Sequence, residues 1–224
     1  MERKPTAVAS RSTQVGSGIE INSVLRNTYM LLGMTLLFSA FTAGVAMALE
    51  ISRMTAMVLS LVGFGLIFVV NKTADSAKGL VAVFAFTGVL GAALGPMLNY
   101  YLALANGPSL VMQALGGTAV VFFALSAYVL VSRKDFSFMG GFLMVGLIVA
   151  VIASIALIFF QIPAASMALS AAIVLLMSGF ILFDTSRIIH GGETNYIRAT
   201  VSLYLNIYNL FTALLSLLGM SSDD

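Results

Sequence analysis

The chain contains no cysteine and few charged residues. Without cysteine it has no disulfides, no thiolate nucleophile and no cysteine metal site. Charged residues make up 9% of the sequence and hydrophobic residues 60%, whereas a soluble domain has about 25% and about 45–50% respectively. Together with a mean hydropathy of +1.04, this composition indicates an integral membrane protein.

Histidine is almost as rare, since His190 is the single one in the chain. No second His or Glu lies at metal-ligand spacing from it, so we expect a solvated histidine in a loop or at a helix end. The sequence has no P-loop, dinucleotide fingerprint or GxSxG motif. An intramembrane protease needs a buried nucleophile with a base, or a pair of buried aspartates, and here Asp184 alone reaches into an apolar run. We therefore expect no enzyme, no cofactor, no metal site and no nucleic-acid partner.

Apolar runs bounded by charges, Gly, Pro and Asn predict seven membrane spans, each close to the about 20 residues that one crossing needs. They cover residues 27–49, 54–70, 80–105, 110–131, 141–160, 165–189 and 199–219. The third span carries Gly91 and Gly95 in GxxxG spacing, which predicts close helix packing, and Pro96, which predicts a kink.

Three regions follow from these spans. Residues 1–24 are polar and are predicted to form a disordered cytoplasmic tail. They do not introduce a cleaved signal peptide, because the first apolar run exceeds the about 7–15 residues of a signal core. Residues 25–220 are predicted to form the membrane domain, and residues 221–224 a short end on the other side.

Lys and Arg set the predicted orientation, because cytoplasmic loops collect them. Of the eleven in the chain, ten fall on one side of the predicted spans, and Arg53 alone falls on the other. The N-terminus is therefore predicted to be cytoplasmic and the C-terminus to lie outside the cytoplasm. An even number of spans would destroy this asymmetry, so the charges also support the count of seven.

Asp184 is the residue that most needs an explanation. It closes a long apolar run about five residues, or ~7.5 Å of helix rise, before the cytoplasmic end of the sixth span. A carboxylate at that depth is costly unless it faces the bundle interior and has a partner. Arg187 at i+3 could pair with it as an interfacial anchor, or Asp184 could line an ion path.

The seventh span carries a polar stripe of residues spaced 4, 3, 3 and 4 apart, which places them on one face of a helix. The stripe consists of Ser202, Asn206, Asn209, Thr212 and Ser216. It should face other helices, either to hold the bundle together or to line a water-filled path. The short connection between spans six and seven makes them antiparallel neighbours, so Asp184 can approach Asn206.

Three segments together resemble the Bax-inhibitor (transmembrane Bax-inhibitor-motif) family, in its bacterial branch. They are "FDTSRIIHGGETNYIRATVSLYLNIYNLF", "FAFTGVLGAALGP" and "RKDFSF", and the resemblance extends from about Asn22 to the end of the chain. It implies an all-α membrane protein in which six transmembrane helices surround a central, C-terminal seventh. It also implies location in a bacterial inner membrane, with a periplasmic C-terminus.

The resemblance implies two functions. Bacterial members associate with the membrane-anchored ATP-dependent protease FtsH and its partners HflK and HflC, and modulate how that protease handles membrane substrates. Other members are calcium leaks whose pH sensor is a pair of aspartates on the last two helices. Asp184 stands at the first position of that pair and Asn206 replaces the second, with Arg187 and Asn209 as supporting polar groups. Because Asn206 cannot share a proton with Asp184, a pH switch and a strong calcium site are both in doubt.

Overall fold

The computed structural model describes residues 8–160 and 162–221, with side chains from Ile21 onward. These residues form eight α-helices and a 3-10 turn at Ser137–Met139. The helices are α1 (Val8–Ala48), α2 (Arg53–Thr73), α3 (Ala77–Ala93), α4 (Gly95–Leu102), α5 (Gly107–Ser132), α6 (Gly140–Phe159), α7 (Pro163–Ile189) and α8 (Tyr196–Met220). Because α3 and α4 share one span, the described residues contain seven helical segments long and apolar enough to cross a membrane, as predicted.

Helix α8 lies at the centre of the bundle, which confirms the predicted architecture. It packs against α1, α2, α3, α5 and α7, and Leu203, Leu210 and Leu215 on it are each 0% exposed. Helix α6 is the outermost span: it packs against α7 and the 3-10 turn, and Leu143 is its one buried residue. In lipid, burying apolar side chains gives little net driving force, so close packing and interhelical hydrogen bonds must hold the bundle together.

The third span is broken where Pro96 predicts a kink. Helix α3 ends at Ala93 and α4 begins at Gly95, so Leu94 joins the two segments. Proline has no N–H to donate to the carbonyl one turn earlier, and its ring crowds that carbonyl. The chain therefore redirects at this point and continues as the short helix α4.

Gly91 and Gly95 bring the third span close to α1, as the GxxxG spacing predicts. A Cβ on Gly91 would overlap the backbone oxygen of Ser39 and the hydroxyl of Thr42. A Cβ on Gly95 would lie 2.8 Å from the Ala46 methyl group. Only glycine permits this approach, because the clash at Gly91 is with backbone and cannot be relieved by rotating a side chain.

We expect Gly91→Ala to destabilise the bundle by about 2 kcal/mol, because the added methyl group must push α1 and α3 apart. The measurement is the unfolding free energy of the purified protein in bicelles. Gly116→Ala is the matched control, since nothing lies within 4 Å of a Cβ at that position of α5. Equal stability of the two variants would mean that the helices separate at little cost.

The α2–α3 connection and the α7–α8 connection lie at the same end of the bundle and contact each other through polar side chains. Arg198 pairs with Asp75 across 2.6 Å, and the Asn195 side chain donates to the Ala74 carbonyl across 3.0 Å. We call this the basic end; its basic residues among those described with side chains are Arg26, Lys72, Lys78, Arg133, Lys134, Arg187 and Arg198. The opposite end carries Arg53.

The orientation of the basic end toward the cytoplasm stays a prediction that rests on charge. Alkaline phosphatase, which is active only outside the cytoplasm, should be inactive when fused after Lys134 and active when fused after Asp224. The opposite result would reverse the topology. The predicted tail and C-terminal end also stay predictions: residues 1–7 and 222–224 lie outside the described residues, and α1 already begins at Val8.

Candidate functional site

Asp184 lies inside the bundle, five residues before the end of α7 at Ile189. Only 7% of its surface is exposed, and the neighbouring Thr185 and Ser186 are fully buried. The preceding apolar run makes this part of α7 a membrane helix, and the periodicity of that helix turns the carboxylate inward. A buried carboxylate needs a hydrogen-bond donor, because an unpaired charge in the interior is costly.

Asn206 supplies that donor. Its side-chain Nδ2 donates a hydrogen bond to Asp184 Oδ2 across 2.7 Å, and Asn206 itself is 6% exposed. Helices α7 and α8 are antiparallel neighbours, so the approach predicted from the short connection between them is confirmed. The bond is charge-assisted, short and shielded from water, so it links the central helix firmly to α7.

Arg187 takes other partners. Its Nη2 donates to the Gly192 carbonyl across 3.1 Å and lies 3.7 Å from a carboxylate oxygen of Glu193. The guanidinium also lies over the Phe183 ring, 5.6 Å from its centroid. The Arg187 side chain thus contacts the α7–α8 connection, whereas Asp184 contacts Asn206.

The rest of the polar stripe on α8 meets α7 again near the opposite end. Ser170 donates to Ser216 across 3.4 Å. Between the two contacts, Asn209 donates to the Leu205 carbonyl across 2.9 Å and Thr212 donates to the Asn209 backbone carbonyl across 3.1 Å, so both groups bond within their own helix. The stripe therefore joins α8 to α7 at Asn206 and at Ser216, and Asn209 does not reach the carboxylate.

Further buried hydroxyls lie in the same half of the bundle as Asp184. Those of Thr28, Tyr29, Ser126 and Thr185 have no hydrogen-bond partner among the described residues. They come from α1, α5 and α7, and the Tyr29 ring packs against Phe122 of α5 with a centroid separation of 5.9 Å. Asp184 is thus accompanied by hydroxyl oxygens that remain able to bind a water molecule or a cation.

A cavity of about 600 Å³ opens at the basic end between residues 21–27 of α1 and the α7–α8 connection. Ile188, one helical turn beyond Asp184, lines this cavity together with Asn27, His190 and Glu193. We call it the basic-end cavity. It brings solvent-facing polar groups to within about a turn of the buried carboxylate.

Two polar contacts could not be found by reading the sequence. Tyr204 of α8 is 1% exposed, and its hydroxyl lies 2.7 Å from the Ser39 hydroxyl of α1 and donates to the Thr87 carbonyl of α3 across 3.2 Å. One tyrosine thereby joins three helices in the core. A tyrosine among the apolar residues of α8 gives no sequence signal for a partner 165 residues away.

The second contact ties the α5–α6 connection to α7. His190 lies at the end of α7, as predicted. Its Nδ1 is 2.9 Å from the Ser186 carbonyl oxygen and its Nε2 is 3.1 Å from the Arg133 carbonyl oxygen. Ser186 accepts a hydrogen bond from the Phe136 N–H across 2.9 Å. In the same connection, hydrogen bonds donated by Ser137 lower the pKa of Asp135 below its ordinary value.

The protein is thus a seven-span helical membrane protein whose central last helix is hydrogen-bonded to a buried carboxylate. Comparison with known sequences gives its family. A family model described as "Inhibitor of apoptosis-promoting Bax1" matches residues 21–223. The chain belongs to this Bax inhibitor family, as its motifs predicted.

Bacterial relatives match over almost the whole chain. The chain is 53% identical over 218 residues to the Escherichia coli K12 protein named "Modulator of FtsH protease YccA", covering 97% of this chain and 99% of the relative. The same protein in another Escherichia coli strain is named "Inner membrane protein YccA". A membrane protein of Vibrio cholerae is 51% identical over 220 residues, covering 98% of this chain and 99% of the relative. The chain is therefore a multi-pass membrane protein similar to YccA.

Proposed function

We propose that this protein modulates an FtsH-type membrane protease and is not itself an enzyme. The observation that supports this most is the 53% identity to the Escherichia coli FtsH modulator over nearly the full length of both chains. At that identity the helices and their packing are shared, so a surface that contacts a protease in one protein has its counterpart in the other. HflK and HflC, the partners implied by the resemblance, belong to the same proposal.

Affinity capture tests the partnership. The tagged protein is isolated in mild detergent from native membranes, and the co-purifying proteins are identified by mass spectrometry. We expect FtsH, HflK and HflC to be enriched relative to a tagged, unrelated seven-span protein expressed at the same level. Intact recovery of the bait without FtsH would overturn the proposal.

The N-terminal tail is our proposed point of engagement with the protease. Deleting residues 1–18 should lengthen the lifetime of the protein in cells about twofold or more, because a protease that starts at the polar N-terminal end of the chain then lacks its starting segment. The measurement is decay after synthesis is blocked, with membrane insertion checked by fractionation. Arg26 remains as an orienting charge and the described span from Ile21 is retained. An unchanged lifetime in cells with active FtsH would remove the tail from the mechanism.

A second candidate function, a weak calcium or other cation leak, is favoured by the surroundings of Asp184. The carboxylate, the oxygen atoms of the free hydroxyls and the basic-end cavity place oxygen ligands along one half of the bundle. Calcium prefers several oxygen ligands, including charged ones, and among the described residues Asp184 supplies the one carboxylate that is buried inside the bundle. We therefore propose that any leak is weak, and nearly independent of pH because Asn206 does not titrate.

A further inference from the structure

Two adjoining cavities lie at the end of the bundle opposite the basic end. One, of about 570 Å³, lies where α1 ends and is lined by Glu50, Arg53 and Asn99; we call it the headgroup pocket. The other, of about 690 Å³, runs down the membrane face between α2 and the third span; we call it the acyl groove. Arg53 and Pro96 line both cavities, so they are continuous.

The acyl groove is apolar along its length. Its α2 wall consists of Met57, Leu61 and Phe64, which repeat at helical spacing and are exposed on the outside of the bundle, and Met97 and Tyr100 lie opposite. Arg53 is the first residue of α2 and of the second span, so its guanidinium stands where the apolar segment meets the polar interface. An apolar groove with a positive charge at its interfacial end is complementary to an amphiphile with a negatively charged group in its headgroup.

The headgroup pocket contains one positive and one negative side chain that do not neutralise each other. Among the ion pairs of the described residues, neither Arg53 nor Glu50 occurs. The guanidinium of Arg53 lies over the Tyr100 ring, 5.6 Å from its centroid, which leaves its N–H groups free to meet a ligand. Both side chains are exposed.

The backbone holds the negative group in place at a conformational cost. Glu50 has a φ of 49°, in the left-handed region that favours glycine. Its N–H donates to the Met47 carbonyl across 3.1 Å, and the Asn99 side chain donates to the same carbonyl across 3.1 Å. The turn that carries Glu50 is thus tied to α4, which fixes the backbone of Glu50 beside the headgroup pocket.

We propose that these two cavities bind one phospholipid whose headgroup carries a phosphate and a primary ammonium group, as in phosphatidylethanolamine. The Arg53 guanidinium donates to the phosphate oxygens, for which its planar fork is well suited. The ammonium group donates to the Glu50 carboxylate, and one acyl chain lies in the acyl groove. A choline headgroup has no N–H to donate and a glycerol headgroup has no positive charge, so both should bind less well.

The test is lipid retention. The protein is equilibrated in mixed micelles with equal amounts of phosphatidylethanolamine, phosphatidylglycerol and phosphatidylcholine, and bound lipid is read by native mass spectrometry. We expect the wild type to retain phosphatidylethanolamine roughly fivefold over the other two lipids. Arg53→Gln should reduce retention of all three lipids, and Glu50→Gln should remove the preference between them.

Two further variants separate the proposed site from general lipid contact. Lys134→Gln is the matched control, because Lys134 is also an interfacial cation over an aromatic ring, 5.8 Å from the Tyr128 centroid, but lines neither cavity. It should leave retention unchanged. Ser60→Phe should fill the acyl groove from an exposed position of α2 and reduce retention without disturbing the core.

Equal retention of the three lipids by the wild type would overturn the proposal. So would a preference that survives both Glu50→Gln and Arg53→Gln, or a loss of retention in Lys134→Gln as large as that in Arg53→Gln. Unchanged melting of each variant shows that the change is in binding and not in folding. The result does not bear on protease modulation, since the experiment contains no protease.

Discussion

Asn206→Asp should turn the protein into a pH-dependent calcium leak. In the wild type the Asn206 amide donates to Asp184 across 2.7 Å inside the bundle. The substitution replaces that donor with a second carboxylate, so the two groups must share a proton at some pH values and repel each other when it leaves. It also adds a charged oxygen ligand, which strengthens a calcium site. We expect calcium flux about tenfold above the wild type, varying between about pH 6 and 8.

The measurement is calcium entry into liposomes that contain purified protein and an internal calcium dye, at a series of pH values. Wild-type flux should be weak and flat over the same series. Asp184→Asn, which leaves two amides and no carboxylate, should abolish whatever flux the wild type shows. Asn209→Asp is the matched control, because Asn209 lies on the same stripe but bonds to its own helix. A strong, pH-gated leak in the wild type would place the leak ahead of protease modulation.

Asn206→Leu should destabilise the bundle by about 2–3 kcal/mol, because it leaves the Asp184 carboxylate buried without its donor. Leucine has a similar volume, so the loss reports the missing hydrogen bond more than a cavity. The measurement is the unfolding free energy in bicelles, or the thermal midpoint in detergent. Asn209→Leu provides the comparison and should cost under about 1 kcal/mol, since within the described part of the chain its amide donates to the Leu205 carbonyl of its own helix.

Equal stability of these two leucine variants would contradict the structural role given to the Asp184–Asn206 bond. It would mean that the carboxylate finds another donor or becomes neutral at little cost. If Asn206→Leu does lower stability, the double variant Asp184→Leu with Asn206→Leu shows whether the cause is an unpaired charge or lost packing. Recovery of stability in the double variant would assign the cost to the unpaired charge and not to lost packing.

The spans could be predicted from the sequence because a bilayer imposes a simple rule. Every crossing needs a long apolar run, and charges, glycine and proline interrupt such runs at the ends. The same local reasoning located the break at Pro96 and the close packing at Gly91. The contact between Asp184 and Asn206 was within reach because two helices joined by a short connection must be neighbours.

Contacts between helices that are distant in the sequence could not be predicted from it. The Tyr204 hydroxyl meets Ser39 and Thr87, but the pattern of apolar residues on α8 does not indicate which neighbouring helix lies opposite a given residue. The left-handed turn at Glu50 was missed because no glycine or asparagine marks it. For Arg187, the i+3 spacing suggested a partner on its own helix, whereas the fold supplies Glu193 in the following connection.

The central position of α8 has a consequence for the synthesis and membrane insertion of the protein. During synthesis α8 leaves the ribosome after all the helices it packs against, and among the seven spans it has the lowest mean hydropathy. Until α8 is inserted, Asp184 and Ser39 lack the hydrogen-bond partners that α8 supplies, Asn206 and Tyr204. Every newly made copy therefore passes through a stage with exposed polar groups in the membrane, which is the state that membrane quality control is suited to recognise.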